Sequence, residues 1–172
     1  MLFRSRFTKF TMDGLVLWFD AMDVDADGSK DNIIDGSQLP LWLDKSLSQK
    51  NAKQSLPIAM ASYKKSAINN NPGIGFASGE SFNVGSLNLN VGNVQEFIVG
   101  HGQGVGIGAS SGSIGWTLDV KTNPRLGMFF NEGNVFQQIT LGKDPSTGFG
   151  QFVGELCEIM IFDRILDRKS VV

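Results

Sequence analysis

Apolar and polar positions alternate over short spans along most of this chain, and no segment sustains a helical period. Apolar residues run unbroken from Leu15 to Phe19. This predicts a first strand over residues 13 to 20, buried on both faces or inserted in a sandwich core. Residues 39 to 44 predict a second short strand or turn with Trp42 inward, and residues 56 to 63, opened by Pro57, an extended segment. Asn69-Asn70-Asn71-Pro72-Gly73 is a turn signal, Ile74-Gly75-Phe76 a short strand, and Gly79-Glu80-Ser81 another turn. Phe82, Val84, Leu87, Leu89 and Val91 alternate, with a slip at Gly85-Ser86 that predicts a bulge. Further strands are predicted over Gln95 to Gly100, Trp116 to Val120, Leu126 to Phe130, Val135 to Leu141 and Phe149 to Asp163. The last is the longest, apolar on both faces except at Glu155 and Glu158. Strands of this length between turn signals predict an all-β fold built as a two-sheet sandwich.

Residues 100 to 115 are glycine-rich and predict a flexible hairpin loop or a thin pair of strands. A loose G-x-G-x-x-G falls within them. No Lys-Ser/Thr follows it and no βαβ pattern surrounds it, which argues against a phosphate-binding loop.

Composition narrows the function classes. The chain has 172 residues, enough for one domain with a real core, and its 21 Gly against 5 Pro suit many tight turns. A net charge of -2 leaves no electrostatic footprint for nucleic acid. No apolar run approaches the roughly 18 residues of a membrane span, so membrane insertion is not expected. The single cysteine, Cys157, cannot form an internal disulfide and reads as a buried filler. The single histidine, His101, leaves no His-based metal cluster and little scope for a His triad.

Both ends read as foreign. Leu2-Phe3-Arg4-Ser5 is what CTC-TTC-CGA-TCT encodes, and Asp167 to Val172 is what GAT-CGG-AAG-AGC-GTC-GTG encodes. These resemble the two strands of a common sequencing adapter read through as protein. The expectation is one domain over residues 6 to 166, with residues 1–5 and 167–172 adapter-derived and a parent gene that continues into other domains.

The chemistry is concentrated between Asp20 and Asp44. Asp23, Asp25 and Asp27 alternate and end on Gly28, giving D-x-D-x-D-G. Carboxylates packed this tightly repel unless a cation lies between them, and Ca²⁺ takes about six to eight oxygen ligands in flexible geometry. The spacing supplies loop positions one, three and five, with Gly at six. Ser29 offers its carbonyl at seven, Asp31 falls at nine, and Ile34 stands where a bidentate Glu would close an EF-hand. Asp35, one residue later, is the substitute. The flanks read as strands, so this is an EF-like loop without EF helices. The alternative is a solvated acidic turn that binds nothing tightly.

Several stretches resemble the concanavalin A-like, laminin-G-like jelly-roll modules. Gly14-Leu15-Val16-Leu17-Trp18-Phe19-Asp20-Ala21 is similar to that family's opening strand. Leu39-Pro40-Leu41-Trp42-Leu43-Asp44-Lys45-Ser46, followed by Asn51-Ala52-Lys53-Gln54, is similar to its W-x-D-K-S step. Asn71 to Phe76, Gly115 to Leu118 and the closing Gly154 to Arg164 resemble later segments. The resemblance covers nearly all of residues 13 to 166. It implies a jelly roll of two antiparallel sheets, serving as a calcium-associated carbohydrate-binding or adhesion module of a larger secreted, surface or virion protein. Fold alone does not settle function.

Three functions stay open. A glycan binder would stack sugar on an aromatic ring and hydrogen-bond it from loops; Trp42, Tyr63, Asn69, Asn70, Asn71 and Trp116 are the candidates, with Trp18 and Trp42 also reading as core. The partner would be a polysaccharide or glycoconjugate. A glycosidase needs two carboxylates flanking the sugar bond. Glu155 and Glu158, three apart on a strand, are expected on opposite faces, and the E-x-D-x-x-E pattern of the family's glucanases is absent. A lyase would need a His or Tyr base, and His101 and Tyr63 stand alone. Glu158 is instead expected to pair with Arg164, Arg125, Lys121 or backbone donors. The third reading is a purely structural spacer.

Overall fold

The opening apolar run folds as β1 (Leu15–Asp20), but it alternates rather than being buried on both faces. Leu15, Leu17 and Phe19 enter the core, while Val16, Trp18 and Asp20 stay half-buried on the other side. The computed structural model describes residues 12–87, 94–109, 125–131, 138–143, 151–164 and 166. The described strands after β1 are β2 (Leu41–Trp42), β3 (Ala52–Lys53), β4 (Ser62–Ile68), β5 (Asn71–Phe76), β6 (Phe82–Gly85), β7 (Val94–Gln103), β8 (Ile107–Ala109), β9 (Arg125–Asn131), β10 (Ile139–Leu141) and β11 (Val153–Phe162).

They form two antiparallel sheets. One runs β4-β5-β11-β7-β9, with β1 also paired to β11; the other runs β2-β3-β6-β10-β8. β5 and β1 share a flank of β11, β5 along residues 154–156 and β1 along residues 158–162. Between the sheets lies one core. Leu17, Phe19, Ile74, Ile98, Leu156, Ile159 and Ile161 come from the first sheet, and Trp42, Phe82, Val84, Ile107, Ile139 and Leu141 from the second. Each fully buried side chain of this size is worth roughly 1.5–3 kcal/mol against exposure, so this layer dominates the stability.

Three expectations change in detail. Residues 56 to 63 are not uniformly extended: Pro57–Ala59 is a 3-10 helix, because a proline's fixed φ suits a first helical turn. The turn signal at 69 to 73 is used only at Asn69 and Asn70, whose φ values of 49° and 64° make a two-residue hairpin joining Ile68 to Asn71. Pro72 and Gly73 belong to β5, and Pro72 precedes the 74–76 segment that bonds to β11, so its missing N–H breaks no bond of that ladder. The glycine-rich stretch is not all loop either. β7 runs on through His101 to Gln103 against β11, and a Cβ at Gly102 would lie 2.5 Å from the Val153 carbonyl oxygen. The chains approach too closely there for any other residue.

β1 lies at an edge, and its free flank is covered. Asp44 Oδ1 accepts the Trp18 N–H at 2.9 Å, and the Lys45 N–H donates to the Trp18 carbonyl at 2.8 Å. Ser46 Oγ and Ser48 Oγ donate to the Val16 carbonyl at 3.2 and 2.5 Å. The Asp44-Lys45-Ser46 step thus closes an otherwise open strand edge. Among the described residues no helix is long and apolar enough to cross a membrane. The predicted strand at 116 to 120, Leu89 and Val91 of the predicted alternating run, and both chain ends lie outside the described residues.

Candidate functional site

The acidic loop leaves β1 directly. The Ala26 N–H donates to the Asp23 carbonyl, and the chain doubles back so that Asp23 Oδ1 accepts the Asp27 N–H and Asp23 Oδ2 the Gly28 N–H, both at 3.0 Å. Asp25 Oδ1 also accepts from the Asp27 N–H at 3.2 Å, and Asp27 Oδ1 from the Ser29 N–H at 2.7 Å. These short-range bonds turn three carboxylates toward one point. One oxygen from each of Asp23, Asp25 and Asp27 lies within 4.8 Å of the others. Two ligands of one calcium ion, each about 2.3–2.6 Å from it, stand at most about 5 Å apart, so these three meet the distance requirement.

The other sequence-derived ligands are placed differently. Asp31 Oδ2 accepts the Val24 N–H at 2.5 Å, and Asp35 Oδ1 accepts the Lys65 N–H at 2.8 Å, tying the loop's exit to β4. Neither joins the converging carboxylates, and Ser29 contributes its N–H to Asp27. The loop also has a cation of its own, which the sequence reading missed. Lys45 Nζ stands 2.9 Å from both Asp20 Oδ2 and Asp23 Oδ2 and 4.5 Å from the centre of the Trp18 ring. Burial lowers the Lys45 pKa, but its hydrogen bonds to Asp23 and Asp20 outweigh this and leave it above the ordinary value. The desolvation of its rim position raises the Asp25 carboxyl; the Asp27 N–H bond opposes this, and the charges of Asp31, Asp27 and Asp23 add to it.

Across the sheet from β1, β11 carries the carboxylates weighed as catalytic. They do not point to opposite faces. A bulge leaves Cys157 without a partner on β7 between Leu156 and Glu158, so strand parity shifts by one. Leu156 and Ile159 both enter the core, and Glu155 and Glu158 therefore share the outer face. Glu155 contacts His101 Nε2. Glu158 Oε1 accepts the Trp18 Nε1–H at 3.0 Å, rather than meeting Arg164, which pairs with Asp13. Burial raises the Glu158 carboxyl, the Trp18 bond lowers it, Asp20 raises it and Lys45 lowers it. Burial, with Glu155, Glu158 and Asp20 around it, pushes the Cys157 thiol up to about 12, which makes it a filler and not a nucleophile.

Two of the proposed sugar-stacking rings are buried. Trp42 is fully buried against Phe19 and donates its Nε1–H to the Asp20 carbonyl, and Tyr63 is 1% exposed. Both are core residues with no free ring face. Asn69, Asn70 and Asn71 are exposed, but Asn69 and Asn70 form the hairpin turn, and Asn70 Oδ1 accepts from Ser66 Oγ. Asn70 also borders a small cleft of about 580 Å³ with Asp31, Asp35 and Lys65. Trp116 lies outside the described residues.

A larger cleft, of about 800 Å³, opens on the outer face of the second sheet. Strand alternation builds it. Ala52, Phe82, Val84, Ile139 and Leu141 point inward, so Lys53 and Asn83 point out, and Thr140 lies on the same side but is buried, its Oγ1 donating to the Lys143 carbonyl at 2.6 Å. Register then aligns Leu41, Lys53, Asn83, Thr140 and Gly108 in one row across β2-β3-β6-β10-β8. Gln49, Asn51, Gln54 and Gln138 border the row. The signal that could have found it was the outward parity of β3, β6 and β10, but their pairing is not readable from local spacing.

No protein-family model and no curated protein matches this chain. The site must therefore be read from its own chemistry. The cleft is bordered by planar amides, a group that pairs with adjacent hydroxyls, although the Asn51, Asn83 and Gln54 oxygens already accept the Asp44, Gly85 and Leu56 N–H groups and Gln54 Nε2 donates to the Ser81 carbonyl. Neither Glu155 nor Glu158 lines it or the smaller cleft.

Proposed function

We propose that this chain is a non-catalytic carbohydrate-binding or adhesion module of a larger extracellular, cell-surface or virion protein, built as a jelly roll with a calcium-stabilised loop. The observation that carries the reading is the amide-lined cleft across the second sheet. Gln49, Asn51, Gln54, Asn83 and Gln138 border an open cleft. Such a surface suits an extended, hydroxyl-rich chain better than a compact apolar ligand. Calcium would be held by Asp23, Asp25 and Asp27 and would neutralise the loop rather than act on substrate.

The bulge at Cys157 favours one second reading, a glycan-cleaving enzyme, because it brings Glu155 and Glu158 to one face. Their engagement with His101 and Trp18 weighs against it. Affinity electrophoresis against a polysaccharide panel, followed by sizing of the recovered polymer, separates the readings. A binder is retarded and leaves the polymer intact. Shortened polymer overturns the non-catalytic reading, and no retardation by any polysaccharide leaves a spacer domain.

A further inference from the structure

We infer that the cleft on the second sheet selects acidic polysaccharides, chains bearing carboxylate or sulfate groups; the inference rests on reading that cleft as a glycan site. Lys50, Lys53 and Lys143 line it, and its described lining holds no Asp or Glu. That is selective in a chain where 17 acidic residues outnumber 15 basic ones. Most acids of the described residues lie elsewhere, Asp20, Asp23, Asp25 and Asp27 at the β1 loop and Glu155 and Glu158 on the outer face of the first sheet, while Asp44 and Glu80 beside the cleft are turned to the Lys50 and Ala77 N–H groups. Among the described residues none of the three lysines is in an ion pair, whereas Lys45 is held by two aspartates. Lys53 projects from the central row, and its strand neighbours Leu41 and Asn83 carry no charge to neutralise it.

The floor also lacks a stacking platform. Phe82, the aromatic residue among the described lining, is fully buried under the sheet. A neutral sugar would have amide hydrogen bonds alone, in competition with water. Three ammonium groups with no ion pair among the described residues, set around those amides, favour a ligand that brings negative charge at intervals along an extended chain. Exposed charges acting this way are screened by salt.

The test is affinity electrophoresis of the whole chain in gels containing polygalacturonate, dextran sulfate or dextran, at low and high NaCl. Retardation by an acidic polymer, weak or absent with dextran and lost on going from about 50 to about 500 mM NaCl, is the expected result. Each of K50Q, K53Q and K143Q should weaken binding roughly two- to fivefold, and K30Q, outside the cleft, should not. The three lysines are surface groups, so an unchanged melting curve of the triple variant checks its fold. The carboxylate and sulfate polymers identify which anion is preferred. Equal retardation by dextran, or a triple variant that binds normally, overturns the charge selection and leaves the glycan reading standing. Equal binding of a poly-dT oligonucleotide makes the cleft a general polyanion surface and also overturns it. No retardation by any of the polysaccharides removes both readings together.

Discussion

Asp44 and Glu96 are buried to nearly the same depth, 4% and 2% exposed, and the protein treats them in opposite ways. Asp44 collects donors. Its oxygens accept from the Trp18, Ser46 and Lys50 N–H groups at 2.9, 2.8 and 2.8 Å, and the single protons of Ser46 Oγ and Ser48 Oγ, at 2.8 and 2.9 Å, are shared between it and the Val16 carbonyl. Glu96, third residue of β7 and inward like its neighbours Val94 and Ile98, has no hydrogen-bond partner on either oxygen among the described residues. Burial alone pushes its carboxyl up to about 7. The difference is one of backbone. A turn leaves N–H groups free to converge on a carboxylate, whereas a central strand spends its N–H groups on the ladder and the core around it supplies none.

The sharpest way to break the comparison is Asp44→Ala. It leaves a set of converging donors without an acceptor and uncovers the free edge of β1, so the expected loss is roughly 4 kcal/mol in a urea titration. A loss under about 1 kcal/mol means that water replaces the carboxylate and the knot is not structural. Glu96→Gln should move stability the other way. The folded pKa of Glu96, about 7, exceeds the ordinary 4.5, so the folded state holds its proton more tightly. No penalty exists below about pH 4.5; it grows as pH rises toward 7 and then levels at roughly 3 kcal/mol. The variant should therefore gain about that much at pH 8 and nothing at pH 4. Equal effects at both pH values show that Glu96 has a partner after all.

A third carboxylate, Asp23, stands between these extremes, with two loop N–H groups and the Lys45 ammonium. Lys45→Met strips the charge partner from a nearly buried aspartate and should cost about 2 kcal/mol, most of it at low salt. A cost that does not change with salt would assign Lys45 a packing role over the Trp18 ring instead.

How much of this was readable beforehand follows from whether a feature is local. The D-x-D-x-D-G string brings its own carboxylates together because each bond spans a few residues, so Asp23, Asp25 and Asp27 could be grouped on paper. The period-two alternation placed Phe82 and Val84 on one face for the same reason, and both are core residues. Parity counting failed at Glu155 and Glu158 because the bulge at Cys157 arises from pairing with β7, not from any local signal. The partnership of Glu158 with Trp18 spans 140 positions, and the row of Lys53, Asn83 and Thr140 joins three distant segments. Glu96 was hidden in a strand identified as apolar around Phe97-Ile98-Val99, where one inward carboxylate does not disturb the pattern.

The smallest expected effect tests what fills the space that Lys45 does not. On the calcium reading the ion and the ammonium share one task, neutralising Asp23 and its neighbours, and so they partly substitute for one another. At free calcium about tenfold above its Kd the protein should gain about 1.4 kcal/mol, a rise of a few degrees in Tm. Chelator should reverse it, and Asp25→Asn with Asp27→Asn should abolish it while leaving the fold intact, because both side chains are exposed. The shift should be larger in Lys45→Met, whose loop has lost its resident cation. Magnesium should do less, since it requires near-octahedral geometry at shorter distances than three carboxylates on a flexible turn readily give. A melting curve indifferent to calcium and chelator in both the parent chain and Lys45→Met would leave the lysine as the sole counter-charge and make the loop a self-neutralised turn.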